Sequence, residues 1–276
     1  MRIVMPLFDL WCNEQQDFRF TSLTGDYRLA RLAPVVEIPD CDLFSERDRG
    51  YIKDPSWTLV AEDPISPRYV EDVNLLVLSF QICKRTPVFI RYYVCNEDPD
   101  KCAVMSRPLW NRLPGECIGP LISSDFDKIN DVFQRLLEMQ GISDRTHNAI
   151  YFTYRGLSSD KMIDSFALLS MALESLFSPE TQGGVTKAMC SRVPAFLGPG
   201  ESCKREDMDS LYELRSKIVH GRVVVGDDIK GKLPVLDNLK SVLLKCLDKM
   251  LTERSYEMYR NVSEKEEYFK KLVGKA

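Results

Sequence analysis

The spacing of apolar residues along this chain changes character once, near Gly119-Pro120. Before that point short β-branched and aromatic runs are separated by Pro, Asp and Asn, the pattern of strands and turns. Residues 75–82 (LLVLSFQI) and 88–94 (VFIRYYV) are the clearest of these runs. The short CKRTP between them predicts a hairpin, with Pro87 closing its turn. Runs at 27–32 and 57–61 are expected to join the same sheet. After Pro120 the apolar residues recur at helical spacing. Ser124 and Asp127 form a candidate capping box, and Phe126, Ile129, Phe133, Leu136 and Leu137 then line one face of a first helix. A second helix is expected over 145–154. Ser159 reads as the N-cap of a third that runs to Phe177 and is apolar on nearly every side, which places it at the centre of a bundle. Val185–Leu197 makes a fourth helix stopped by Gly198, and 208–220 a fifth stopped by Gly221. Pro234 opens a further helix ending near Arg254, and the charged run 264–267 reads as a solvated helix face. The expected fold class is α+β: a β-rich domain over 1–123, then an all-α bundle over 124–276.

Composition narrows the possibilities. At 276 residues the chain has room for two domains that fold without metals or disulfides. No apolar run reaches the length of a membrane span, and the N-terminal stretch lacks a small-residue cleavage site, so no membrane association and a cytoplasmic location are expected. Nine cysteines, none in a C-x-x-C pair, indicate neither a disulfide framework nor a zinc site. No metal or other cofactor is expected. With a net charge of -4, any nucleic-acid contact must be local rather than spread over the whole surface.

The first 120 residues carry no catalytic constellation. On the fifth helix, a wheel at 100° per residue groups Met208, Leu211, Tyr212, Ile218 and Val219 on one apolar stripe, with Arg215 in its middle. A guanidinium there needs a carboxylate partner. Glu174, set among the apolar residues Ile163, Phe166, Ala167, Leu173 and Phe177 of the central helix, has the reciprocal need. The two are therefore expected to pair, either as a packing device between helices or as part of a site. His220 ends the same helix as Arg215. An imidazole that exchanges protons near neutral pH, beside an arginine that can hold a phosphate, is the minimum equipment for RNA cleavage without a metal. The other reading is a histidine that only caps a helix. Five residues set the two side chains about 140° apart on an ideal helix, so they converge only if the last turn unwinds at Gly221 or a second subunit completes the site. Tyr212, Ser216, Lys217 and Arg222 surround the pair, the two cations as candidate backbone contacts. His147, in Arg-Thr-His-Asn, has no second ligand at metal spacing and is expected to be structural.

The segment ALESLF (172–177), a gap of about thirty residues holding a short helix, and then LYELRSKIVHGR (211–222) resemble the ApeA-like branch of the HEPN superfamily. The resemblance covers roughly 125–255 and rests on the Glu of the central helix, the Leu-Tyr before Arg215 and the Ile-Val-His-Gly ending. It implies a helical bundle that dimerises with its Arg and His motifs facing one another. Many members are metal-independent ribonucleases of toxin-antitoxin, abortive-infection and antiphage systems; others only bind RNA or protein. By this resemblance Arg215, His220 and Glu174 are the candidate catalytic residues, with Tyr212, Ser216, Lys217 and Arg222 as candidate substrate contacts. Ser216 stands where active members often carry Asn, Asp or His. The implied partners are RNA, a second copy of the chain, and a protein or phage-derived trigger for a sensing or regulatory N-terminal domain.

Overall fold

The computed structural model describes the chain except residues 1, 9, 11, 15, 23–24, 31–56, 63–68, 91, 96–97, 105–119, 160, 181–183, 200–202, 223–232 and 275–276. The expected boundary residue Gly119 and the end of the 27–32 run lie outside the described residues. The fold is α+β, a sheet-bearing N-terminal part followed by helices. Two compact units divide inside a helix, one taking Met1–Arg107 with Glu116–Gln134 and the other holding Arg135–Ala276.

In the first unit the described strands are β1 (Arg2–Phe8), β2 (Phe18–Thr21), β3 (Asp26–Ala30), β4 (Trp57–Glu62), β5 (Phe89–Ile90), β6 (Tyr92–Cys95) and β7 (Asp98–Val104). They form one sheet in the order β2-β3-β4-β1-β6-β7, with β5 also on β1 and every pairing antiparallel. Residues 57–61 of β4 are buried without alternation, as in a strand covered on both faces. One expectation fails here. The run 75–82 is not a strand paired to 88–94 but the body of helix α1 (Tyr69–Lys84). Its buried residues, among them Val73, Leu75, Leu76, Leu78, Phe80 and Ile82, point in every direction around the axis. A helix buried all round shows no amphipathic period, so its core reads as a strand. Phe80 meets Phe20 and Phe126 edge-on at 6.2 and 6.1 Å, and Phe126 stacks on Phe18. Asp72 of α1 is buried, with the hydroxyls of Ser22 and Tyr27 donating to its Oδ2.

Helix α2 (Ser123–Gln140) is the one that both units share. It begins two residues earlier than the expected capping box implies, and the acid at its start is Asp125, which accepts from the Ile122 N–H at 3.0 Å, rather than Asp127. Phe126, Ile129, Phe133 and Leu136 are buried as expected; Leu137 is half-buried.

The second unit continues with α3 (Asp144–Leu157), α4 (Met162–Phe177), α5 (Val185–Leu197), α6 (Arg205–Val219), α7 (Leu233–Thr252), a 3-10 helix (Ser255–Arg260) and α8 (Val262–Val273). Helix α4 packs against α3, α5, α6 and α7 and is the central helix that its apolar surface predicted. Its N-cap is Lys161 rather than Ser159, whose hydroxyl instead accepts from the Lys161 N–H. Gly156 lets α3 and α4 approach: a Cβ there would lie 2.7 Å from Leu169 Cγ. The carbonyls left over at the end of α4 are all met by side chains from elsewhere. Arg145 donates to Ser175 O at 3.2 Å and to Ser178 O at 3.3 Å. Tyr259 donates to Leu176 O, Arg192 to Phe177 O and Lys265 to Ser178 O. Charge balance comes from Glu180, paired with Arg145 and Lys265, and from Glu266, paired with Arg192. The run 264–267 is therefore not simply a solvated face. Lys265 is only 1% exposed, because it turns inward to two carboxylates and a carbonyl, while Glu264 and Glu267 remain outside.

Candidate functional site

Helix α6 carries the expected constellation. Its N-terminal half buries Met208, Leu211 and Tyr212. One turn further on, Arg215 meets Glu174 of α4. Nη2 donates to Oε2 at 3.0 Å, and Nε lies 2.9 Å from Oε1, close enough for ion pairing but not aligned as a hydrogen bond. The pairing inferred from the two helical wheels thus forms. It sits at the edge of the bundle rather than inside it, with the Arg215 and Glu174 side chains 32% and 18% exposed. Since Nε and one Nη2 hydrogen face the carboxylate, Nη1 and the outer Nη2 hydrogen remain able to reach a second anion.

Tyr212 does not lie where a substrate could touch it. It is 7% exposed and its hydroxyl makes no hydrogen bond. Burial, and then the Glu174 charge, push its pKa well above the ordinary phenol range, with Arg215 offsetting part of the rise. Behind it, Cys190 of α5 donates to Asp209 Oδ1 at 3.0 Å. Burial and that carboxylate raise the thiol to about 12, so it is a packed thiol rather than a nucleophile.

The end of α6 is a closed motif. The His220 N–H reaches Ser216 O at 3.0 Å, the Gly221 N–H reaches Ile218 O at 3.0 Å, and the Arg222 N–H reaches Lys217 O at 2.8 Å, with Gly221 at φ +65°. This is a Schellman ending, which requires a left-handed residue at Gly221 and satisfies the final carbonyls. Helical register therefore runs through His220 and the last turn does not unwind. Arg215 and His220 leave the helix on different sides, Arg215 toward α4 and His220 exposed to solvent. Ser216, Lys217 and Arg222 are exposed as well, but Lys217 is occupied by Glu213 at 2.6 Å. The apolar stripe of the wheel also ends early: Ile218 is half-buried and Val219 exposed, because the turn that carries them runs past the packed part of the helix. His147, expected to be structural, stands exposed on α3.

Sequence reading passed over the cluster of Arg145, Glu180, Arg192, Lys265 and Glu266. No local signal marks it, since Lys265 and Glu180 are 85 residues apart and Arg192 and Glu266 are 74 apart. Among the described residues no group of three His, Cys, Asp or Glu side chains is placed to hold a metal, and no helix is long and apolar enough to cross a membrane. No family model, curated protein or solved structure matches the chain, so the functional argument rests on its own residues.

Proposed function

We propose that the helical part of this chain is a metal-independent endoribonuclease of HEPN type, acting in a defence or toxin-like role in the cytoplasm. The observation that carries this reading is the presence, on one helix, of an oriented but part-exposed guanidinium, Arg215, and an open imidazole, His220, at its end. Glu174 holds the Arg215 fork in place while its outer N–H groups take the non-bridging oxygens of a phosphodiester. The His220 imidazole removes the proton of the ribose 2′-OH. The 2′-oxygen then attacks phosphorus, the bond to the 5′-oxygen breaks, and that oxygen takes a proton from water. The products are a 2′,3′-cyclic phosphate and a 5′-hydroxyl. Because the two side chains diverge on α6, the composite site belongs to a two-fold dimer in which His220 of the partner subunit completes each half. The N-terminal unit serves as the sensor of a protein or phage-derived trigger.

A second reading, a non-catalytic module that binds RNA or a protein, is favoured by the engagement of Arg215 with Glu174 and of Lys217 with Glu213. One assay separates the two. Purified protein is incubated with labelled single-stranded RNA in EDTA, beside His220→Ala and Arg215→Ala. Cleavage that persists in chelator, ends in a cyclic phosphate and is lost in both variants supports the ribonuclease. Cleavage abolished by EDTA, or retained in both variants, overturns it, and retention of RNA without cleavage selects the binding module.

A further inference from the structure

Two buried oxygens at the Arg215 site have no hydrogen-bond partner among the described residues: the hydroxyl of Tyr212 and Oε1 of Glu174. Folded proteins satisfy nearly all such atoms, so two left open at one place call for a cause. Tyr212 stands one turn before Arg215 on the same face of α6. Burial aside, the largest influence on its hydroxyl is the Glu174 carboxylate, which makes the two groups neighbours although no aligned bond joins them. Their needs are complementary, since a phenol can donate and a carboxylate oxygen accepts. Burial, and then the Glu174 charge, keep the proton on Tyr212 well above the ordinary phenol range, so it is a donor at any working pH. Cys190, another group that Tyr212 feels, already gives its thiol hydrogen to Asp209.

Glu174 is thus secured at one oxygen only. Oε2 accepts from Arg215 Nη2 at 3.0 Å, whereas Oε1 has just the unaligned charge contact with Nε at 2.9 Å. A phosphodiester that takes the outer N–H groups of Arg215 draws the guanidinium toward solvent, where about a third of the side chain already lies. That movement lengthens the Nε contact and leaves a largely buried carboxylate oxygen with nothing, a cost set against binding. A donor waiting beside Oε1 removes that cost.

We infer, on the reading of Arg215 as the phosphate-binding group, that Tyr212 is a positioning residue: as Arg215 moves onto a phosphodiester, the Tyr212 hydroxyl donates to Glu174 Oε1 and replaces Nε there. Tyr212 touches no substrate and acts only through Glu174. No covalent bond forms or breaks; one charge contact is exchanged for one hydrogen bond. Because that bond belongs to the bound state alone, the hydroxyl contributes to affinity and not to the stability of the free protein. A tyrosine with a purely structural bond does the reverse, stabilising the free fold and leaving affinity alone.

The test is fluorescence anisotropy with labelled single-stranded RNA, using full-length protein carrying His220→Ala so that the RNA stays intact. Adding Tyr212→Phe should weaken binding about tenfold, the scale of one hydrogen bond to a charged group, while the melting point without RNA stays level or rises. In an Arg215→Met background the same change should alter affinity by less than about twofold, because the hydroxyl acts through the guanidinium. With His220 restored, Tyr212→Phe should raise KM for RNA by about the same tenfold and leave kcat within about twofold. If the parent binds RNA and Tyr212→Phe binds it equally well, the proposal is wrong while the reading of Arg215 and His220 stands. A loss that persists in the Arg215→Met background would make the tyrosine a contact in its own right and overturn the proposal. So would a lower kcat at unchanged KM, which places the hydroxyl in the chemical step, or a melting point well below the parent, which means that its bond already exists in the free protein. Should the parent fail to bind RNA at all, the phosphate reading of Arg215 falls and the role of Tyr212 with it.

Discussion

Substituting Glu174 by Ala separates what the Arg215 pair does for folding from what it does for chemistry. Removing one partner of a fully buried ion pair costs about 3 to 5 kcal/mol, because a charge is stranded in an apolar interior. Breaking a solvent-exposed pair costs about 0 to 1 kcal/mol. This pair lies between those limits, since Glu174 is largely buried while roughly a third of the Arg215 side chain reaches water. A stranded Arg215 can turn outward, so the expected cost is about 2 kcal/mol, a melting point lower by roughly 4 to 8 °C for a unit of this size. Arg215→Ala should cost less, about 1 kcal/mol, because removing the long side chain at the edge of the bundle opens Glu174 to water. His220→Ala, at an exposed helix end, should stay within about 0.5 kcal/mol of the parent. The double variant Glu174→Met, Arg215→Met leaves no stranded charge and should melt above Glu174→Ala. Thermal melts followed by circular dichroism at neutral pH give the order directly. A Glu174→Ala protein melting with the parent would refute the argument, and would mean that the pair, though formed, contributes nothing to stability.

Three further outcomes follow from the bundle. For Glu180 and Glu266, burial raises the carboxyl pKa, but Lys265, Arg145 and Arg192 outweigh it and hold both below the ordinary range. Carboxylates held low in the folded state stabilise it above their unfolded pKa, about 4.3, and lose that contribution as pH falls through the folded value. Urea denaturation from pH 7 to pH 3 should show this loss below about pH 4, flattened in Lys265→Met; identical pH slopes would count against the network. Tyr212→Phe removes a buried hydroxyl that has no partner, so the protein should be as stable or more stable by about 1 kcal/mol, and a large loss would reveal a hidden partner. Gly156→Ala forces a methyl against Leu169 and should cost about 1 to 3 kcal/mol, whereas a neutral result would mean that α3 and α4 can part freely.

What could be read from sequence followed from how each signal arises. Arg215 and Glu174 were legible as a pair because each is a charge on an otherwise apolar stripe, and burial demands a complement whatever the distance along the chain. The helix stops at Gly198 and Gly221 were legible for the opposite reason: a glycine ending is a local signal, and both adopt the positive φ that it anticipates. Helix α1 was misread because periodicity reports a difference between two faces, and a helix buried all round has none. The wheel of α6 overstated the reach of its stripe, since a wheel has no ends and Val219 lies beyond the packed part. Lys265 was hidden among Glu264, Glu266 and Glu267, where nothing local distinguishes a lysine that turns inward to a carboxylate 85 residues away.

The way α4 ends has a consequence for the order in which the bundle can close. The donors that close its last carbonyls come from residues 145, 192, 259 and 265, so one helix terminus collects contacts from both sides of it in the chain. A nascent polypeptide that has already extruded α4 and α6 still lacks Tyr259 and Lys265. Until those residues leave the ribosome the turn after Glu174 has no complete frame, and the carboxylate that orients Arg215 is not yet held in register. The bundle therefore closes over long sequence separations, a slow, non-local step. A chain cut short before residue 265 would carry Glu174 and Arg215 without two of the donors that close the end of α4.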